Sequence, residues 1–250
     1  MRVITVLTVA GLILSLQGCA GKGVPIGGLG RPEFVPQSPP DSVVETGIRQ
    51  DPNTGGIILQ WYRMPGVLGY DIFRSDTIDS KGNPMEFTLV LNVAQNSAVN
   101  DTSALDPSVG VGLRYFYYVS AYSSEAVHSL PSDTISYELI NRPVAVYPGG
   151  KTPTVNANGL HFAWYDATGG GYTVIRVRSI SVVPFVTIWV SRRFQIFHSY
   201  PSLSFNFDST ATQQLVYGDS YEWRVERFNV DASGRPYEGS TSVWETFTVK

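Results

Sequence analysis

Cysteine is nearly absent: one residue, Cys19, in a chain of 250. No intrachain disulfide can form, so whatever folds must hold on its apolar core alone. Excess basic charge is missing too. Eighteen Lys and Arg stand against twenty-one Asp and Glu, a formal net charge of −3, which offers no basic field to phosphates and argues against a nucleic-acid partner. Histidine occurs only as His128, His161 and His198, in different expected elements and without metal-ligand spacing. Beyond residue 16 no apolar run is long enough to span a membrane, and after Pro40 no stretch keeps a 3.6-residue apolar period. What the chain has instead is Gly, Pro and aromatics (24, 16 and 31 residues, counting Trp, Tyr and Phe), the composition of short strands and tight turns.

The N-terminus differs from the rest. Arg2 precedes an almost unbroken apolar run from Val3 to Leu16. It falls short of the roughly 20 apolar residues that cross a bilayer and suits the apolar region of an export signal. The run ends in Leu16-Gln17-Gly18-Cys19, which resembles the lipobox of bacterial lipoproteins. The resemblance implies that residues 1–18 are a lipoprotein signal peptide, removed just before Cys19. It also implies that the Cys19 thiol is diacylated with palmitate-like chains and that its new amino group is acylated in turn. Only a cysteine offers the sulfur nucleophile for that thioether. Two or three acyl chains anchor far more firmly than the marginal hold of a single one. The bland alternative is a plain secretory signal with an incidental Cys. The implied location is the bacterial cell envelope, lipid-anchored, and Ala20 after the Cys favours the outer membrane if the cell is Gram-negative.

From 19 to 40 the chain is Gly- and Pro-rich, with Pro25, Pro32, Pro36, Pro39 and Pro40. This spacing suits an extended, hydrated tether, with Glu33 to Val35 able to lie as an edge strand. After Pro40 come short period-two runs such as Ile57 to Trp61, Tyr70 to Arg74, Phe87 to Val93 and Tyr115 to Tyr122, separated by turn residues. Such a pattern means an all-β sandwich or barrel. The chain also repeats itself. Trp61 and Trp164 each close a strand-like run, 103 positions apart. Tyr70-x-Ile72-x-Arg74 recurs as Tyr172-x-Val174-x-Arg176 at an offset of 102. Gly112-x-x-Tyr115-x-Tyr117-x-Val119 recurs as Gly218-x-x-Tyr221-x-Trp223-x-Val225 at 106. Two copies follow, over 41–141 and 142–250.

These signatures resemble fibronectin type III domains: a Trp ending the second strand, Tyr-x-Ile/Val-x-Arg on the third, and Gly-x-x-Tyr ahead of Tyr-x-aromatic-x-Val. Ser129-x-Pro131-Ser132 fits the entry to the last strand. The second copy is the more divergent, with a longer segment around 184–205. The resemblance implies two tandem immunoglobulin-like β-sandwiches after a signal peptide and flexible linker. Trp61, Tyr70, Ile72, Tyr117 and Val119 are expected to fill one core, and Trp164, Tyr172, Val174, Trp223 and Val225 the other. Tyr115 and Tyr221 resemble the tyrosine corner, whose hydroxyl returns to the backbone upstream.

No catalytic, cofactor-binding or metal-binding residue is expected. No Gly-x-Ser-x-Gly elbow occurs. Asp76, Asp79 and Asn83 match a calcium loop only in part, with Lys81 intruding. Gly169-Gly170-Gly171 reads as a turn, with no following helix to bind phosphate. Asn100-Asp101-Thr102 matches a glycosylation sequon that has no force in a bacterial lipoprotein. Arg176, Arg178, Arg224 and Arg227 read as solvated guanidinium groups over aromatic rings. Arg192, Arg193, Phe194, Phe197 and Tyr200 form the candidate binding surface, because long loops on rigid sandwiches tend to carry function.

Three functions stay open. The first is a membrane-anchored, non-enzymatic envelope lipoprotein acting as a protein-binding or spacer module, its partner another envelope protein. The second is a carbohydrate-binding surface lipoprotein using exposed aromatics of the second copy; it requires coplanar rings at the surface. The third is a hydrolase of unfamiliar type, which requires a cleft with two convergent ionisable groups. Fold alone does not choose among them.

Overall fold

The computed structural model describes residues 28–95, 102–150, 154–167 and 170–250. The expected signal segment, Cys19, the first part of the tether, Asn100, Asp101 and Gly169 lie outside the described residues. Every regular element described is a β-strand, so the chain is all-β. No helix among the described residues is long and apolar enough to cross a membrane.

The first copy opens with β1 (Arg49–Gln50), β2 (Ile57–Gln60), β3 (Gly69–Ser75), β4 (Thr77–Ile78) and β5 (Pro84–Met85). It continues with β6 (Thr88–Ala94), β7 (Ser103–Asp106), β8 (Arg114–Ser124), β9 (Val127–His128) and β10 (Ile135–Leu139). One sheet runs β1-β2-β7 and faces a second in the order β10-β8-β3-β6. Between them Ile57, Leu59, Trp61, Tyr70, Ile72, Tyr117 and Val119 are buried in one cluster, one residue in two from each strand, as the pleat dictates.

The second copy comprises β11 (Val144–Tyr147), β12 (Thr154–Val155), β13 (His161–Tyr165), β14 (Tyr172–Ser179) and β15 (Val186–Val190). Then follow β16 (Phe194–Gln195), β17 (Ser202–Ser204), β18 (Ser220–Val230), β19 (Pro236–Thr241) and β20 (Glu245–Val249). Sheet β11-β13-β17 faces β14 and β18 with their partners. Its core holds Phe162, Trp164, Ile175, Val177, Trp189, Trp223, Val225 and Phe247. Two tandem fibronectin type III-like sandwiches result.

Details repeat between the copies. The Gly110 amide donates to the Tyr115 hydroxyl at 2.7 Å and the Val216 amide to the Tyr221 hydroxyl at 2.9 Å, so both tyrosine corners form. Ser132 breaks the last strand of the first copy: its hydroxyl accepts the Val119 amide at 3.0 Å while its own amide donates to the Val119 carbonyl. Ser242 does the same to Val225.

One core expectation is overturned. Tyr172 and Val174 do not fill the second core; with Val190 and Phe228 they form a small cluster on the outer face. The inward residues are Ile175 and Val177. Ile72 pairs with Val119 and Ile175 with Val225, so the true offset is the 103 of the tryptophans. The Tyr-x-Ile/Val-x-Arg match is displaced by one residue, and a one-residue slip turns every side chain to the other face.

The described part of the expected tether lies along the first sandwich, the alternative the sequence allowed for Glu33 to Val35. Phe34 bridges to Trp61, the Val35 amide donates to the Gln60 carbonyl and the Tyr62 amide to the Glu33 carbonyl. Leu29 and Phe34 pack on the first core. Residues 33–36 thus lie as an extra edge strand, and backbone pairing displaces the water that an extended linker would bind. The strand is then interrupted by a loop over 37–46, closed by the Ser38 amide on the Thr46 carbonyl at 3.2 Å, before the chain rejoins the sheet at β1.

The two sandwiches share one sheet. β10 pairs in parallel with β19, Glu138 beside Glu238 and Leu139 beside Gly239, which joins twelve strands. Close approach requires glycine at 239: a Cβ there would stand 2.6 Å from the Tyr137 hydroxyl and 2.8 Å from the Arg227 carbonyl oxygen. Leu139 belongs to the first core, whereas the partner of Gly239 across the sheet is outward-facing Phe228. The two cores therefore lie on opposite faces of the common sheet, and the 37–46 loop of the first sandwich comes to rest on the outer face of the second.

Candidate functional site

The loop lands on charge. On the outer face of the second sandwich Arg176 of β14 pairs directly with Arg224 of β18. The expectation of solvated guanidinium groups fails, because Arg176, Arg224 and Arg227 are all buried. Arg176 donates to the Ser42 carbonyl at 2.6 Å, to the Pro40 carbonyl and to Glu226. Arg224 donates to Glu226 at 2.8 Å and to Glu45 from the loop. Arg227 turns to the other side, 3.1 Å from Asp166 and 2.6 Å from the Gly170 carbonyl. Buried charges persist only when paired and hydrogen-bonded, and two carboxylates, two guanidinium groups and two carbonyls meet that condition.

Burial pushes the Glu226 carboxyl up, but the Arg176 and Arg224 charges more than offset it and hold it below the ordinary range. Arg224 is pulled down by burial and, more strongly, up by Glu226 and Glu45. Alongside, Arg178 binds Glu222 at 2.6 Å and lies 4.0 Å over the Trp244 ring, which Arg224 also covers at 4.6 Å. The stacking expected of these arginines is real for Arg178 and Arg224; Arg178 keeps part of its side chain in solvent, whereas Arg224 is buried. A signal for the cluster was present in the sequence: Arg176 and Arg178 stand opposite Glu222, Arg224 and Glu226, with opposite charges within cross-strand reach.

A cavity of about 50 Å³ remains between loop and sheet, lined by Glu45, Arg49, Tyr137, Arg176 and Glu226 among others. That is room for one or two water molecules rather than an organic ligand. Further contacts close the junction: the Thr241 amide donates to Gln50 at 2.7 Å, Ser240 to the Asn141 carbonyl at 2.8 Å and Arg142 to the Thr241 carbonyl at 2.8 Å.

The candidate surface is split by the fold. Phe194 faces inward, edge-on to Trp164 at 6.1 Å and to Phe207 at 5.5 Å. Arg192 and Arg193 are exposed; the Arg192 amide caps Asp208 and the Arg193 guanidinium lies 5.6 Å over Tyr172. Phe197 and Tyr200 remain 80% and 73% exposed. Nor is 184–205 one long loop, since it contains β15, β16 and β17. Asp208 does structural duty there. Its carboxylate accepts from the Arg192 amide, from the Trp189 indole at 3.0 Å and from the Thr210 hydroxyl at 2.8 Å, and these bonds, outweighing burial, hold it below the ordinary carboxylate range.

Coplanar exposed rings of the kind a sugar binder displays are not what these residues provide. Trp61, Trp164, Trp189 and Trp223 are buried, and Trp244 is held against two arginines. Tyr200 lies 5.0 Å from Tyr165 but tilted by 41°.

The other polar residues singled out in the sequence have ordinary surroundings. Asp79 accepts the Lys81 and Asn83 amides and the Asn83 side chain, a tight turn, and no group of three metal-ligating side chains exists among the described residues. His161 points outward and stacks on Tyr147 at 4.8 Å. His128 stands 3.6 Å from Asp71, its other ring nitrogen at the Glu125 carbonyl. His198 is exposed. The wider hollows beside Val43 and Trp189 and beside Asp51 and Ile58 each carry a single carboxylate.

No protein-family model and no curated protein matches this sequence. Among solved structures, an Fn3-like protein from Clostridium thermocellum is 24% identical over 42% of this chain and 86% of its own, with a TM-score of 0.29. The chicken CNTN1 FN1-FN3 domains are 14% identical over 86% of this chain and 69% of their own, with a TM-score of 0.31. The fibronectin type III-like fold stands on the strand order, the two cores and the two tyrosine corners.

Proposed function

We propose that this chain is a lipid-anchored, non-enzymatic protein of the bacterial cell envelope that acts as a rigid spacer and protein-binding scaffold. The observation that carries the reading is the junction. A shared sheet and a buried ionic cluster join the two sandwiches, so surfaces on either one are held at a fixed separation and orientation. A flexible pair of beads cannot do that, because inter-domain motion is the usual condition unless the interface is large and well packed. The anchor rests on Leu16-Gln17-Gly18-Cys19 and the chemistry of its thiol.

Labelling cells with a palmitate analogue tests the anchor: wild type takes up the label and Cys19→Ser does not, and equal labelling removes it. Crosslinking in intact cells followed by gentle solubilisation tests the scaffold. A reproducible envelope companion supports it, and its consistent absence counts against it.

A further inference from the structure

The first edge strand of the molecule is cut in two by the loop that grips the second sandwich. Residues 33–36 pair with β2 through the Val35 amide on the Gln60 carbonyl and the Tyr62 amide on the Glu33 carbonyl, both at 2.9 Å. β1 pairs with the other end of β2, Gln50 beside Ile57. Gln50 also accepts from Thr241 of the second sandwich, so β2 runs from the junction at Ile57 toward the remote end at Trp61. The chain therefore comes in at the remote end, runs toward the junction, leaves the sheet at Gln37 and returns at Gly47.

The neck of that excursion is narrow. The Thr46 amide donates to the Ser38 hydroxyl at 3.0 Å and the Thr46 hydroxyl to the Pro36 carbonyl at 2.9 Å. A Cβ on Gly47 would stand 2.5 Å from the Gln37 Cα, so the two stems lie side by side. Beyond the neck the grip is on Arg176, through the Pro40 and Ser42 carbonyls, and on Arg224, through Glu45. Chain order puts these contacts in series. A pull on the residues before Glu33 meets two backbone bonds, then the neck, then the grip, and only afterwards β1. The other holds on this segment are modest: Leu29 and Phe34 are part-buried, and the Arg31–Asp133 pair is exposed, where ion pairs hold little. At the opposite end the chain leaves through β20, held by four registered pairs with β18 and by Phe247 and Val249 in the core. The N-terminal side yields first.

We propose that residues 33–46 are a tension-released clasp. A pull on the N-terminal tether strips 33–36 from β2, opens the neck and draws Pro40, Ser42 and Glu45 off the two arginines. Arg176 then keeps Glu226, water takes the place of the loop, and the junction loosens to the β10–β19 pairing and its side-chain bonds while both cores stay folded. Local opening favours segments with few buried apolar contacts and backbone bonds near solvent. The loop meets that condition, since Val43 and Val44 are 58% and 70% exposed. The clasp rests on the reading of the chain as anchored through its N-terminus, and it makes the rigid spacer responsive to load.

The test stretches the full chain between a handle on the thiol of Cys19, its single cysteine, and one at the C-terminus. Because Gln37 and Gly47 start side by side, straightening the loop between them adds about 30 Å. The expected record is a reversible step of that size ahead of the sandwiches, each of which releases roughly ten times as much. Val35→Pro removes the amide that donates to Gln60, and Glu45→Gln weakens the grip on Arg224; each should speed opening at a fixed force about tenfold and leave the sandwich steps unchanged. Fraying of 33–36 alone adds only a few ångström, because that segment already lies extended along the pull. The clasp is overturned by a first step that short, by no step before a sandwich unfolds, or by a full-sized step that both variants leave unaltered. Equal palmitate labelling of wild type and Cys19→Ser would remove the anchor and leave the clasp, whereas a missing step would remove the clasp and leave the anchor.

Discussion

Glu226→Gln tests whether the charge cluster under the 37–46 loop locks the molecule. The Glu226 carboxylate takes hydrogen bonds from both Arg176 and Arg224, whose side chains are 3% and 4% exposed. Neutralising it leaves two buried guanidinium groups with Glu45 as the remaining carboxylate of the cluster. Removing one partner of a buried pair costs about 3–5 kcal/mol, because the survivor stays charged and desolvated. Glu45 still reaches Arg224, and the Pro40 and Ser42 carbonyls still hold Arg176, so the loss should be near the low end, about 3 kcal/mol.

Urea unfolding followed by tryptophan fluorescence reads this well, since Trp164, Trp189, Trp223 and Trp244 all lie in the second sandwich. With a slope of about 2 kcal/mol per molar, the midpoint should fall by about 1.5 M. A fall corresponding to less than about 0.5 kcal/mol refutes the lock, because that is the range of an ordinary surface change. The sign with pH follows from the depressed folded pKa. The contribution is fully present above the unfolded carboxylate value of about 4.3 and is lost as pH falls through the lower folded value. Glu226→Gln should therefore flatten the acid limb of the stability curve. Converting Arg176, Arg224 and Glu226 together to Met, Met and Leu should cost little or nothing in the second sandwich, while releasing the loop to proteases.

Three further outcomes are expected. Tyr115→Phe and Tyr221→Phe each orphan one loop amide, Gly110 or Val216, and should cost about 1–2 kcal/mol apiece in chemical denaturation, adding in the double variant because the corners are far apart; a neutral pair would deny the corners their role. Gly239→Val places a side chain against the Tyr137 hydroxyl and should part β10 from β19 while both cores survive; small-angle scattering should report a larger radius of gyration with unchanged circular dichroism, and an unchanged radius contradicts the shared sheet. Asp208→Ala removes one of the two acceptors of the Trp189 indole, leaving the Thr210 hydroxyl, together with the acceptor of the Arg192 amide, and should cost about 2 kcal/mol at neutral pH. Because the folded Asp208 carboxyl is held below the ordinary range, that difference should shrink as acid protonates it in the parent, and a pH-independent difference would exclude the carboxylate as its source.

The all-β class, the two copies and most of the first core followed from local pattern. Alternation in Ile57 to Trp61 and Tyr115 to Tyr122 selects buried positions without knowledge of neighbours, because the side-chain period of a strand is two. Both tyrosine corners could be read from Gly-x-x-Tyr spacing, since their hydrogen bonds close over five residues. The second core was misread at Tyr172 and Val174 for a related reason. A motif records residue types in order, and a slip of one position preserves the types while inverting the facing.

The candidate site fared differently. Exposed Phe197 and Tyr200 and inward Phe194 share one hydrophobic stretch, and nothing local tells them apart. By itself, then, the sequence determined two sandwiches and their repeated aromatic skeleton, because each depends on residues close together along the chain. Only the tertiary structure decided that Arg176 is buried. Its covering carbonyl at Ser42 lies 134 positions away and arrives there because Gly239 lets two strands from different sandwiches pair in parallel, setting their cores on opposite faces of one sheet. Burial of a charge is a property of what lands on it, and that is settled by long-range pairing rather than by local pattern.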